Sequence, residues 1–104
     1  MDVFQTLADP ARRRIVELLA DDEHAVNDLV PLVGIHQSGV SRHLRILHEA
    51  GFVAVRPEGA RRLYSLRPER FVELSEWLGR YRELWEQRLD RFDLALQRAQ
   101  KEKR

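Results

Sequence analysis

The sequence predicts a mainly α-helical chain carrying one small β-hairpin, and three observations predict it. Apolar residues recur at helical spacing through most of the chain. Two short β-prone runs, Phe52 to Val55 and Arg61 to Leu66, flank the turn signal Pro57-Glu58-Gly59-Ala60. From Glu69 to about Ala99 no helix breaker intervenes except Gly79. At 104 residues the chain is the size of one domain, so 1–104 is expected to form a single unit.

Phe4 and Leu7 predict a short opening helix. Asp9-Pro10 is a strong start signal for the next one: the carboxylate can cap free amides while proline takes the first helical position. Ile15, Leu18 and Leu19 follow in helical phase, and Asp21-Asp22-Glu23 reads as an exposed break. Val26, Leu29, Val30 and Val33 give another apolar face that ends at Gly34, a residue suited to a left-handed helix terminus. Pro31 falls inside this stretch, where it deletes a backbone hydrogen bond. Either the helix begins late enough for Pro31 to lie in its first turn, or it is kinked.

After Gly34-Ile35, the run from Gln37 to His48 is amphipathic. Val40, Leu44 and Leu47 fall on one side; Gln37, Ser38, Ser41, Arg42, Arg45 and His48 fall on the other. Two short helices joined by a brief turn containing glycine make a helix-turn-helix. A hairpin directly after it, with Arg56, Arg61 and Arg62 at its ends, makes a wing. The expected architecture is therefore a winged helix-turn-helix, in the order four helices, two strands, one helix.

The last element places apolar residues at Phe71, Leu74, Leu78, Tyr81, Trp85, Leu89, Phe92, Leu96 and Ala99, close to a heptad seam. Such a helix over 69–99 spans roughly 45 Å, more than a domain this small can cover by itself. Its apolar stripe calls for a partner, and a second copy is the economical one. Residues 100–104 are polar and basic and are expected to fray.

Net charge is +1, but it is unevenly spread. Residues 1–35 hold three Arg against seven Asp and Glu, whereas residues 36–67 hold six Arg against two Glu. Positive charge is thus concentrated where a phosphate-facing surface is needed. The absence of cysteine excludes disulfides and thiolate ligands. No apolar run is long enough to span a membrane, and the first ten residues lack the basic-then-apolar order of a signal peptide, so a cytoplasmic chain is expected.

A recognition helix reads base edges in the major groove from its first turns. Gln37 can pair with adenine, and Ser38 and Ser41 can reach a base or a phosphate. Gly39 leaves room for close backbone approach. Arg42 can contact guanine or phosphate, with His43 and Arg45 next in line. In the wing, Arg61 and Arg62 would follow the minor groove or the flanking backbone. Arg12-Arg13-Arg14 reads as a solvated face with one structural ion pair. No phosphate loop, nucleophile elbow or metal-hydrolase spacing is present, so no enzyme and no cofactor is expected. Trp77, Tyr81 and Trp85 could line a small-molecule pocket, though such a stripe is more often packing.

These residues resemble the ArsR/SmtB family of winged-helix repressors. The matching segments are Leu7 to Ile15 (Leu-Ala-Asp-Pro-Ala-Arg-Arg-Arg-Ile), Gln37 to Glu49 with Ala50-Gly51, and Arg61-Arg62-Leu63-Tyr64. The resemblance implies a homodimer built from the first and last helices, which assigns Phe4, Leu7, Leu74, Leu78, Tyr81, Trp85, Leu89 and Phe92 to the interface. It also implies a double-stranded operator, an inverted repeat, and repression released by an effector, a small molecule or a protein. The family's metal sites do not carry over. Ala25 and Asn27 stand at the thiolate positions of its arsenic and cadmium sensors, and residues 69–104 contain no histidine for the terminal-helix site. Two other readings compete: a winged-helix protein-interaction module, and a repressor with a non-standard site of histidines and carboxylates.

Overall fold

The computed structural model describes residues 1–102 and divides the chain into two units, Met1–Val72 and the remainder from Glu73. The first unit contains α1 (Val3–Leu7), α2 (Pro10–Asp21), α3 (Val26–Val33), α4 (Gln37–Glu49), β1 (Val53–Glu58), β2 (Arg61–Leu66) and the opening of α5 (Glu69–Glu102). This is the expected winged helix-turn-helix order.

Local chemistry sets the boundaries. Asp2 accepts from the Gln5 amide at 2.7 Å while the Gln5 side chain accepts from the Asp2 amide at 3.0 Å, closing a capping box on α1. Asp9 accepts from the amides of Ala11 and Arg12 at 2.8 and 3.2 Å, with Pro10 first in α2. Gly34 ends α3 at φ +80°, a left-handed position that disfavours any side chain with a Cβ. Because α3 begins at Val26, Pro31 lies well past its first turn. Its ring is exposed, so the deleted hydrogen bond faces solvent.

Ile15, Leu29, Val40, Leu44, Leu47, Phe52 and Val53 are fully buried and form the core of this unit. Each such side chain contributes roughly 1.5–3 kcal/mol by leaving water. Phe52 belongs to the core rather than to the strand the sequence suggests. Its amide donates to the Leu47 carbonyl at 2.9 Å, and its ring meets Phe71 edge-on at 5.2 Å.

The hairpin is antiparallel with Val53 opposite Leu66 and Glu58 opposite Arg61, so Pro57 and Glu58 extend the strand and the loop shrinks to Gly59-Ala60. Gly59 at φ +61°, followed by a residue of negative φ, is the two-residue turn that suits the twist of paired strands. A further pairing lies outside the hairpin. The His24 amide donates to the Tyr64 carbonyl at 3.1 Å, and the Tyr64 amide donates back at 2.8 Å.

In the second unit α5 continues to Glu102, three residues beyond the expected end of regular helix. The rest of the tail expected to fray, residues 103–104, lies outside the described residues. No residue of α5 is buried. No helix among the described residues is long and apolar enough to cross a membrane.

Candidate nucleic-acid interface

Helix α4 presents its polar side to solvent: Gln37, Ser38, Ser41, Arg42 and Arg45 are all exposed, while Val40, Leu44 and Leu47 anchor the opposite side. Its N-cap residue, His36, makes no side-chain cap, so the first amides of α4 lack the acceptor that Asp2 and Asp9 supply elsewhere. Arg42 and Arg45 have no carboxylate within ion-pair distance among the described residues. Gly39 has a packing reason: a Cβ there would lie 3.1 Å from the Ile35 side chain.

His43 does not belong to this outward set. It is 5% exposed, and its Nδ1 lies 3.3 Å from Nη1 of Arg12. The expectation that it contacts DNA is corrected: in phase with Val40 and Leu47, the imidazole turns inward and cannot reach a base edge. Arg12 is the structural member of the arginine triplet. Its Nε donates to the Thr6 carbonyl at 2.6 Å and its Nη2 to the Gln5 carbonyl at 3.3 Å. Asp9 lies 4.0 Å from both Arg12 and the His43 ring. Burial pushes the Asp9 carboxyl up, but the amides of Arg12 and Ala11, with the His43 and Arg12 charges, outweigh it and hold it below the ordinary range.

In the wing, Arg61 and Arg62 are both exposed but differ in company. Arg61 reaches Asp28 of α3 at 3.5 Å and Glu58 at 3.7 Å; Arg62 has no carboxylate in reach among the described residues. Arg56 forks onto Glu23 at 2.9 and 3.1 Å and holds that carboxyl below its ordinary range. An open groove of about 310 Å³ brings the start of α4 and the wing together, lined by Asn27, Gln37, Arg61, Arg62 and Tyr64 among others. Ala25 and Asn27, the two residues at the resemblance's thiolate positions, also line it. The sequence reading missed Asn27 and the acidic partners of the wing.

The residues assigned to a dimer interface lie on two separate elements. On α1, Phe4 is 50% exposed and Leu7 half-buried. On α5, Leu74 is half-buried, and Leu78, Tyr81, Trp85, Leu89 and Phe92 are exposed, the last two by 62% and 63%. Trp77 and Tyr81 pack at 4.9 Å, Arg88 sits over Trp85, and Leu78, Tyr81 and Trp85 line an open groove of about 490 Å³. Among the described residues no three His, Cys, Asp or Glu gather as a metal ion would need.

Comparison with known proteins agrees with this geometry. Residues 9–55 match the family described as bacterial regulatory protein, arsR family. The chain is 41% identical over 78 residues to the HTH-type transcriptional regulator Rv2034 of Mycobacterium tuberculosis, covering 75% of this chain and 73% of that protein. It is 40% identical over 74 residues to the HTH-type transcriptional regulator Rv0081 of the same organism, covering 70% of this chain. That match spans 65% of the relative, just under two thirds of its length. The crystal structure of a possible transcriptional regulator for arsenical resistance superposes with a TM-score of 0.71 at 37% identity, over 78% of this chain and 84% of that one.

Proposed function

We propose, because this chain belongs to the arsR family of bacterial regulatory proteins and is a DNA-binding transcriptional regulator of that type, that it acts as a homodimeric repressor on an inverted repeat. The observation that carries this reading is the shared exposure of Gln37, Ser38, Ser41, Arg42 and Arg45 on α4, with Gln37 and the wing residues Arg61 and Arg62 lining one groove. Short polar side chains and arginine at the start of such a helix are what base edges and phosphates require. Two copies would place two such helices in successive major grooves, about one helical turn apart.

The α5 stripe supports the dimer. Trp85, Leu89 and Phe92 are more than half exposed, an apolar face that a lone helix has no reason to keep. Repression without the family's known metal sites is supported by Ala25 and Asn27 and by the lack of histidine in residues 69–104. The effector would then be a small molecule or a protein.

Fluorescence anisotropy tests the reading, on the duplex upstream of the chain's own gene beside a scrambled duplex at several salt concentrations. Tight binding to the native duplex alone is the expected outcome. Absence of binding to either at low salt would overturn it in favour of a protein-interaction module. Sedimentation equilibrium tests the dimer, and Leu89→Glu is expected to yield monomer.

A further inference from the structure

Three segments of the first unit meet at one buried guanidinium. Arg12, on α2, donates to the Gln5 and Thr6 carbonyls at the end of α1, and its remaining arm faces Nδ1 of His43 on α4. The two side chains are 9% and 7% exposed. A guanidinium carries donors alone, so Nδ1 must offer a lone pair. The ring proton then sits on Nε2, which points toward Asp9 at 4.0 Å. His43 directly follows Arg42 and lies between Ser41 and Arg45, so what holds its ring also helps to hold the stretch of α4 backbone that carries the outward side chains.

We propose that Arg12 is a positioning residue for the recognition helix, acting through His43, and that protonation of the His43 ring releases this hold. The proposal rests on the DNA-reading function above and adds its regulation by protons. A proton on Nδ1 sets N–H against N–H and places a second cation beside a buried one. The charges facing the ring are Asp9, which caps α2, Arg12 from α2 and Arg42 from its own helix; α1 faces Arg12 with carbonyls. Burial foremost pushes the imidazole below its ordinary range, Asp9 pulls it up, and Arg12 and Arg42 push it down again. Val40, Leu44 and Leu47 are fully buried and make no use of the ring contact, so release is expected to loosen the helix without unfolding it. What is lost is the tight placement that discrimination between sequences needs.

His43→Asn keeps an acceptor near the Nδ1 position and cannot titrate. The first measurement needs no DNA: NMR titration of the free protein from pH 8 to 5. The His43 ring is expected to titrate below the ordinary imidazole range, with the amides of Thr6 and of residues 41–45 moving at the same midpoint and staying still in His43→Asn. Titration of His43 at or above the ordinary imidazole value, or no response at Thr6 as the ring titrates, would overturn the proposal. The second measurement compares a duplex selected from a random pool at pH 8 with its scramble. Any effect of pH common to both duplexes cancels in the ratio. In the parent protein the ratio is expected to fall about tenfold as pH is carried down through the His43 midpoint that the NMR titration gives, the worth of one well-made base contact, and to stay level in His43→Asn. Arg12→Lys, which keeps the charge and loses the fork, is expected to lower the ratio at every pH. Equal falls in the parent and His43→Asn would refute the proposal. A pool that yields no selected duplex refutes DNA reading instead, and the NMR titration still decides the hold.

Discussion

Salt dependence turns the arginine arrangement into a number. Arg42, Arg45 and Arg62 are exposed and have no carboxylate partner among the described residues, whereas Arg61 is shared between Asp28 and Glu58. The proposed dimer would then offer six such cations to phosphate. At about 0.9 per neutralised phosphate, log affinity against log salt should slope near −5, an affinity loss of about a thousandfold between 50 and 200 mM. Arg45→Gln removes one cation per copy and should flatten the slope by about 1.8. Arg61→Gln should flatten it by less than half as much, because that guanidinium must first leave its two carboxylates. The assay is anisotropy on a 30-base-pair duplex of arbitrary sequence, with circular dichroism to verify folding. A parent slope shallower than about −2, or equal effects of Arg45→Gln and Arg61→Gln, would refute the assignment of these side chains to phosphate.

Four further outcomes are expected. Gly34→Ala should cost about 1–2 kcal/mol in chemical denaturation, from the left-handed backbone alone, since nothing lies within 4 Å of the new Cβ. Gly79→Ala, also in open space but mid-helix, should stabilise by about 1 kcal/mol, and an unchanged melting temperature would contradict a regular helix there. Phe52→Ala should cost about 3–5 kcal/mol by the same assay, because the ring is fully buried against Phe71. Stability should fall on acidification in two stages. Below about pH 6.5 the unfolded chain protonates His43 before the folded one does, and further down, as pH falls through the lowered folded value of Asp9, α2 loses its carboxylate cap. Denaturation midpoints across pH should show the first stage in the parent protein and not in His43→Asn.

The element order, the caps at Asp9-Pro10 and Gly34, and the outward side of α4 were legible in the sequence, because each is a local pattern of spacing and turn chemistry. His43 and Arg12 were misjudged or left open for an instructive reason. Both sit in core phase, His43 three residues after Val40 and Arg12 three before Ile15, yet their chemistry argues for a surface. Phase was the better guide. The partners of the wing were not legible at all: Arg56 meets Glu23, and Arg61 meets Asp28, each across 33 residues of chain. The pairing of His24 with Tyr64 is of the same kind, since no periodicity announces a bridge between a loop and a distant strand. Asn27 joined the candidate site only once α3 and the wing shared a groove.

That bridge has a mechanical consequence. An isolated two-stranded hairpin bends and slips easily, but here β2 is stitched to the connection between α2 and α3 by two reciprocal hydrogen bonds, while Arg56 of β1 is clipped to Glu23 and Arg61 of β2 to Asp28. The two backbone hydrogen bonds therefore tie the wing to that connection and set its offset from the recognition helix, like one jaw of a caliper. A ruler of this kind cannot stretch to suit an operator. Where groove width differs from the gap, the duplex has to bend or narrow to meet it, so sequences that deform cheaply gain affinity at base pairs the protein never touches.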